Sequence, residues 1–366
     1  MKLTGLTLYQ FRNYEELHLG LHPGVNLLVG ENAQGKTNLL EAVFYLSTGK
    51  SFRTGRVQEL IGFGAEFADL SCTLFSGGRE QALRAVLFAN RRPRQLYIGG
   101  VKQRSASGLS GVLTTVLFCP DDLQVLKAGA AGRRKLLDTA LCQLRPGYAA
   151  ALAEYQRLYD SKSRILKDYH EQPSLLEPLP EFNYRMAQVG TLLIATRANY
   201  LRELGGTAAE YHREFSGGRE GLTLRYQTVS TVTDPFADKR VIFQQILNHQ
   251  EAHYRAELDS GQCLTGPHKD DFDASLDGLS IKAYGSQGQT RTAAISLKLA
   301  ERELFRRDTG EEPVLLLDDV LSELDGTRQE FVLNQIKTGQ VLITCCEPDK
   351  LTGLGQTVHI EKGRVI

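Results

Sequence analysis

The chain has 366 residues, 42% of them apolar and 23% charged, enough to build more than one core and too apolar for a disordered chain. Its 43 basic and 43 acidic side chains cancel to a formal charge of zero. That excludes a protein coating a polyanion over its whole surface and confines any nucleic-acid surface to a local patch. Six cysteines (Cys72, Cys119, Cys142, Cys263, Cys345, Cys346) contain no C-x-x-C pair and no His-linked zinc spacing. A disulfide scaffold and a zinc module are therefore excluded, and the thiols read as reduced and mostly buried. Met1 to Asn13 has no apolar leader core, and no aliphatic run approaches the length of a membrane span. The expected setting is soluble and cytoplasmic, without a membrane partner.

In chain order, Leu6–Tyr9 and Gly24–Val29 read as strands, the second a near-continuous apolar run of the kind buried in a parallel sheet. Leu39, Leu40, Ala42, Val43, Phe44 and Leu46 follow at helical spacing. Between about residues 67 and 101, short β-like pieces alternate with Gly77-Gly78 and Gly99-Gly100, which predicts an antiparallel part. From about residue 121 to 211 the period becomes helical, broken at Pro146 and between Pro173 and Pro180. No heptad seam persists, so a long coiled-coil arm is excluded. Strand character returns at Leu222–Tyr226, and later at Pro313–Leu317 and Gln340–Thr344.

Gly30-Glu31-Asn32-Ala33-Gln34-Gly35-Lys36-Thr37, followed by Asn38, matches G-x-x-x-x-G-K-[ST] between an apolar strand and an apolar-periodic helix. Small residues let backbone N–H groups curl around phosphate, Lys36 reaches the β and γ oxygens, and the Thr37 hydroxyl ligates Mg²⁺. Such a loop needs an acid at the end of a neighbouring strand. Leu315-Leu316-Leu317-Asp318-Asp319 supplies one: Asp318 on the magnesium side, and Asp319 placed to orient or deprotonate a water. The expected ligands are a nucleoside triphosphate, whose base the loop does not specify, and Mg²⁺; the resemblance described below implies ATP. Lys36 and Asp318 lie 282 residues apart, which predicts one head split by an insertion rather than two domains in series.

Tyr284-Gly285-Ser286-Gln287-Gly288-Gln289 opens a helix with apolar Ile295, Leu297, Leu299 and Leu304, its exposed N-terminus suited to an anion. Together with the two phosphate-site motifs, this Ser-x-Gly-Gln turn resembles the signature of the SMC-like branch of ABC ATPases. Further motifs are similar to the RecF family of bacterial DNA-repair ATPases. They are Phe11-Arg12-Asn13-Tyr14, Gly49 to Arg53, Phe118 to Leu123, Gly132 to Asp138, Thr265 to Asp271 and Ser322-Glu323-Leu324-Asp325.

The resemblance implies an α/β fold, an ABC/SMC-type ATPase head assembled from the N- and C-terminal parts with an inserted, mainly helical second lobe. The expected bounds are 1–120 and 265–366 for the head and 121–264 for the insertion. It also implies Arg12 and Asn13 beside the nucleotide, and Ser286, Gly288 and Gln289 capping ATP held by a second copy, hence an ATP-dependent homodimer. Implied partners are double- and single-stranded DNA at gaps or junctions, RecR and RecO, and indirectly RecA, in repair and the SOS response. The chain departs from the ABC pattern at Asp319, where Glu is usual, and at Thr344-Cys345-Cys346, where a switch His is usual. Hydrolysis is therefore expected to be slow. Asp121 or Asp122 lies nearest the place of the Q-loop glutamine.

Between Arg79 and Arg104, seven basic residues (Arg79, Arg84, Arg91, Arg92, Arg94, Lys102, Arg104) face a single acid, Glu80, with Tyr97 inside the run. This predicts a phosphate-tracking DNA surface without base readout. A second candidate is the helical set Arg133, Arg134, Lys135, Arg157, Lys162, Arg164 and Lys167. A transporter ABC subunit, a P-loop kinase and a toxin-like ATPase–nuclease are the rival readings. The first lacks its switch His and Q-loop glutamine, the second has no use for the Ser286 signature, and the third shows no acid cluster beyond Asp318 and Asp319.

Overall fold

A computed structural model describes residues 1–90, 92–229, 231–346, 351 and 353–366. In chain order, β1 (Lys2–Phe11), β2 (Tyr14–Gly20) and β3 (Val25–Val29) lead into α1 (Lys36–Thr48). Then come β4 (Phe67–Ser76), β5 (Arg79–Phe88), β6 (Gln95–Ile98), β7 (Val101–Gln103) and β8 (Thr115–Phe118). The middle holds α2 (Ala130–Leu144), α3 (Pro146–Asp168), α4 (Leu179–Ser216), β9 (Leu222–Gln227) and α5 (Lys239–Ser260). After it come β10 (Asp271–Leu276), β11 (Leu279–Ser280), α6 (Ile281–Tyr284) and α7 (Gln287–Thr309). The chain finishes with β12 (Val314–Leu317), α8 (Gly326–Gln335), β13 (Val341–Cys345), β14 (Gln356–Glu361) and β15 (Arg364–Val365).

These elements form two compact units, Met1–Gln124 with Arg291–Ile366, and Val125–Thr290. The first unit contains two six-stranded sheets, ordered β2-β1-β4-β5-β6-β7 and β15-β14-β3-β13-β12-β8. In the antiparallel sheet, alternation puts Leu3, Leu6, Leu8, Leu70, Cys72, Leu74, Leu83 and Ala85 on a buried face, with Thr7, Tyr9, Arg84 and Tyr97 opposite. The antiparallel part thus begins at residue 2, earlier than the turn signals suggested.

The second sheet is parallel from β14 to β8, and its middle strands are mostly apolar and buried along nearly their whole length because both faces are covered. Neighbours in it come from opposite ends of the chain: β3 lies between β13 and β14. A buried amide stitches the same junction, where Gln340 Oε1 accepts Leu3 N–H at 2.7 Å and its Nε2 donates to Leu3 O at 2.7 Å.

The second unit packs α2, α3, α4 and α5 with the small antiparallel sheet β11-β10-β9. Residues 265–290, expected with the head, belong here. Asp271–Leu276 pairs residue for residue with Leu222–Gln227, and a strand cannot be separated from the partner that satisfies its backbone groups. At 38 residues, α4 is the longest helix among the described residues and is capped by Gly217 in the left-handed region. No helix among the described residues is long and apolar enough to cross a membrane.

Candidate nucleotide site

The parallel sheet delivers three loop ends to one edge. The phosphate loop follows β3, Asp318 and Asp319 follow β12, and Thr344 lies near the end of β13 between them. Ligands bind at this carboxyl edge in open α/β sheets. The loop lines a cleft of about 300 Å³ with Asn32, Ala33, Gln34, Gly35, Lys36, Thr37, Asn38, Arg53 and Asp319. Gly35 sits at φ +120°, and a Cβ there would come within 2.8 Å of both Asn13 Nδ2 and Tyr14 Oη. Gly30 is as constrained, since a Cβ would meet Ile360 O at 2.3 Å.

Lys36 is 4% exposed. Its Nζ donates to Gly30 O at 2.6 Å and Glu31 O at 2.9 Å and lies 3.3 Å from Cys346 Sγ. Among the described residues no carboxylate pairs with it, so the cleft holds a buried cation solvated by neutral groups, a setting completed by an anion. On the opposite wall Thr37 Oγ1 donates to Asp318 Oδ1 at 2.8 Å. Burial pushes the Asp318 carboxyl above its usual range, with Thr37 hydrogen bonding opposing and Asp319 reinforcing the rise. A hydroxyl beside one desolvated carboxylate is a hard oxygen set of the kind Mg²⁺ takes with phosphate and water. The residues present therefore fit a nucleoside triphosphate with its magnesium.

Asp319 stands in the left-handed region at φ 50° and donates its N–H to Thr344 Oγ1 at 2.8 Å. Thr344 Oγ1 also lies 3.1 Å from Asp318 Oδ1 and 3.2 Å from Asp319 Oδ1. Its single proton serves one carboxylate at a time, so it acts as a hinge pin between them rather than as a base.

Asn13 supports the loop directly, while Arg12, expected beside the nucleotide, braces α1 through Glu41. Arg12, also at positive φ, forks onto Glu41 at 2.8 Å through both Nε and Nη2 and donates to Glu59 O at 2.6 Å. Glu41, fully buried on α1, was not anticipated; a charged residue on an apolar helix face was the only signal. Asn13 Nδ2 donates to Gln34 O at 2.9 Å, Asn38 Nδ2 to Asn13 Oδ1 at 2.7 Å, and Arg53 Nη1 to Asn38 Oδ1 at 2.8 Å. Arg53, read before only as part of a motif, thus reaches the cleft wall. Asp122 accepts from Cys119 N–H at 2.9 Å, which fixes a turn after β8. Of the thiols, only Cys72 and Cys263 are fully buried and Cys346 is exposed, so the expectation of mostly buried cysteines fails.

In the second unit, the signature turn carries exposed Ser286 at the start of α7, with Gly288 and Gln289 in its first turn. A larger hollow, about 860 Å³ beside α4 and β9, is also in this unit. Its lining includes Arg202, Arg225 and Asp234 but no phosphate loop and no paired acids.

The basic run does not form one surface. Arg84 forks onto Asp69 at 2.9 and 3.0 Å, matching its charge. Arg94 turns inward to Gly49 O and to Tyr45 Oη at 3.1 Å, which removes it from any DNA-facing set. Arg79, Arg92, Lys102 and Arg104 remain exposed, with Arg79 opening β5 and Arg92 past its far end; Arg91 lies outside the described residues. The helical set is thinned likewise: Arg133 pairs with Asp271 at 2.6 Å, and fully buried Lys162 pairs with Glu257 at 2.6 Å.

A phosphate loop, an acidic strand end 281 residues away, and a separate Ser-x-Gly-Gln turn define an ATPase head of the ABC and SMC class. The RecF/RecN/SMC N terminal domain matches residues 2–364. The chain is 36% identical to the DNA replication and repair protein RecF of Agathobacter rectalis, over 100% of this chain and 99% of that one. Solved structures of the recombination mediator protein RecF in the RecFOR pathway, as RecF-ATPrS and RecF-ATP, superpose with TM-scores of 0.93 and 0.92. Both are 32% identical and cover 99% and 100% of this chain and 97% of theirs. The chain belongs to the RecF family.

Proposed function

We propose that the chain is an ATP-gated DNA-binding protein of recombinational repair and replication. In this reading ATP brings two copies together on DNA, and slow hydrolysis releases them. The observation that carries it is the cleft around Lys36, where, among the described residues, a buried ammonium faces only carbonyls and a thiol while Thr37 and Asp318 offer oxygen ligands. The solved relative named as RecF-ATP supports the identity of the anion. When bound, ATP supplies the anhydride and Mg²⁺ neutralises its phosphate charge. Lys36 and the N–H groups of the loop bind the phosphates, Thr37 and Asp318 hold the metal, and Asp319 orients water. Its positive φ stores strain at the site, in keeping with a residue placed for chemistry rather than stability.

The signature residues Ser286, Gly288 and Gln289 of one copy close over the nucleotide of the other. DNA at gaps or junctions, RecR and RecO, and through them RecA, are the partners this reading takes from the family and the pathway named for its relatives. Ser286→Arg should leave ATP binding to single copies nearly intact and abolish the ATP-dependent dimer, read by light scattering. A mutant that dimerised normally would overturn the two-copy site.

A further inference from the structure

We infer that Glu220 is a positioning residue for the signature turn, acting through Gln289 and itself held by the buried His212. This deepens the two-copy reading above and rests on it only for its consequence in ATP binding.

The turn closes on itself by a reciprocal pair. Ser286 Oγ accepts the N–H of Gln289 at 3.2 Å, and Gln289 Oε1 accepts the N–H of Ser286 at 2.9 Å. This is a capping box with glutamine in the third helical position. It works only if the amide of Gln289 presents oxygen to Ser286; rotated by half a turn, the NH₂ group would face an N–H donor instead. Glu220 decides between the two. Its Oε1 accepts from Gln289 Nε2 at 2.8 Å, so the amide nitrogen is drawn away from Ser286 and the oxygen toward it.

Glu220 is well placed to impose that choice. Its other oxygen lies 3.1 Å from Nε2 of His212, whose side chain on α4 is 0% exposed. His212 Nδ1 is buried without a hydrogen-bond partner, so Glu220 is the polar contact that the ring keeps. The loop carrying Glu220 is fixed as well. Gly217 and Gly218 end α4 in the left-handed region, and Gly221, which follows Glu220, exchanges two bonds with Asp277. These run from Gly221 N to Asp277 Oδ1 at 2.9 Å and from Asp277 N to Gly221 O at 3.0 Å. On the other side, Lys127 Nζ donates to Gly285 O, the residue before the serine. Ser286 and the first N–H groups of α7 are thereby preorganised, which is what an anion-capping turn requires. A carboxylate close to an anion site would repel the ligand if it were free; bonded to both Gln289 and His212, this one is directed away from it.

The test compares Glu220→Ala with Glu220→Gln, because glutamine still offers a carbonyl oxygen to Gln289 Nε2. Hydrogen exchange of the 285–290 segment is read in the nucleotide-free protein by mass spectrometry. Loss of one hydrogen bond should speed it about fivefold in Glu220→Ala, with Glu220→Gln near the wild-type rate. In a parallel titration, the ATP concentration that half-dimerises Glu220→Ala should rise about fivefold while ATP binding to single copies is unchanged. Unchanged exchange in Glu220→Ala, or equal acceleration in both variants, overturns the positioning role. If exchange responds as expected but the wild-type protein does not dimerise with ATP, the positioning role stands and the two-copy function falls.

Discussion

The Thr37 hydroxyl donates to Asp318 Oδ1 at 2.8 Å across 281 residues of sequence. That one bond joins the phosphate loop to the acidic strand end. Asp318 is desolvated and its carboxyl raised above its usual range, so the ligand-free fold carries a charge it does not favour. Asp318→Asn keeps an oxygen for Thr37 and removes that charge. It should melt about 2–4 °C higher without nucleotide, the shift that ~1 kcal/mol gives in a unit of this size, yet bind ATP with Mg²⁺ more weakly. Calorimetric melting with and without nucleotide reads both. Higher stability together with undiminished affinity would remove Asp318 from the metal.

Asp319 should separate from its neighbour. Asparagine tolerates the left-handed backbone at φ 50°, so Asp319→Asn tests chemistry rather than folding. Phosphate release should slow at least about tenfold, or ~1.4 kcal/mol of transition-state stabilisation, while the ATP dimer lives longer. Turnover at the wild-type rate would shift the water-orienting role elsewhere, with Glu323 the next acid to test.

For DNA, the exposed members of the basic run carry the expectation. Changing Arg92, Lys102 and Arg104 together to Ala should lower the slope of log affinity against log salt by roughly 2 to 3, about one unit per lost phosphate contact. Arg94→Ala should leave the slope alone and lower the melting temperature, because its guanidinium ties Gly49 to Tyr45. A slope unmoved by the triple change would point to the exposed Arg157, Arg164 and Lys167 on α3.

The Thr265–Asp271 segment sets two titrations against each other. Burial raises Asp270 to about 6, although Arg197, Tyr226 and Thr228 favour its anion. Its contribution is full below pH 3.8 and is lost as pH rises toward 6. Burial lowers His268 to about 4, with a carbonyl from Cys263 opposing and Lys269, Lys162 and Arg134 reinforcing. Its contribution is present above pH 6.5 and is lost as pH falls toward 4. The two nearly cancel. Stability of Asp270→Asn should therefore climb between pH 4 and 6.5, and that of His268→Gln should fall over the same range. Urea midpoints at several pH values check both; parallel slopes in the two variants would refute the opposition.

Much of this was legible in the sequence because local spacing encodes it. The phosphate loop, the Leu315–Asp319 strand end and the Ser286 turn each announce their backbone through glycines, apolar runs and a capping residue. The long separation of Lys36 from Asp318 carried the split head. What escaped depends on which side chain meets which across the fold. Nothing in the spacing says that Arg94 turns inward or that Arg84 meets Asp69. Glu41 and Glu220 were invisible for the same reason: each looks like a solvated helix or loop charge until its partner is placed. The boundary at residue 265 failed because pairing of β10 with β9 is a long-range choice.

The placing of β3 between β13 and β14 has a consequence for biosynthesis. While a ribosome is making the middle of the chain, Leu27, Leu28 and Val29 have emerged but lack both flanking strands, which lie about 300 residues further along. The phosphate loop has no fixed anchor until then, so a prematurely terminated chain cannot engage nucleotide. Gln340 reinforces the arrangement by bonding Leu3, made 337 residues earlier. Folding of this unit is thus deferred until β13 and β14 have emerged, leaving a sticky apolar strand for chaperones to shield in the meantime.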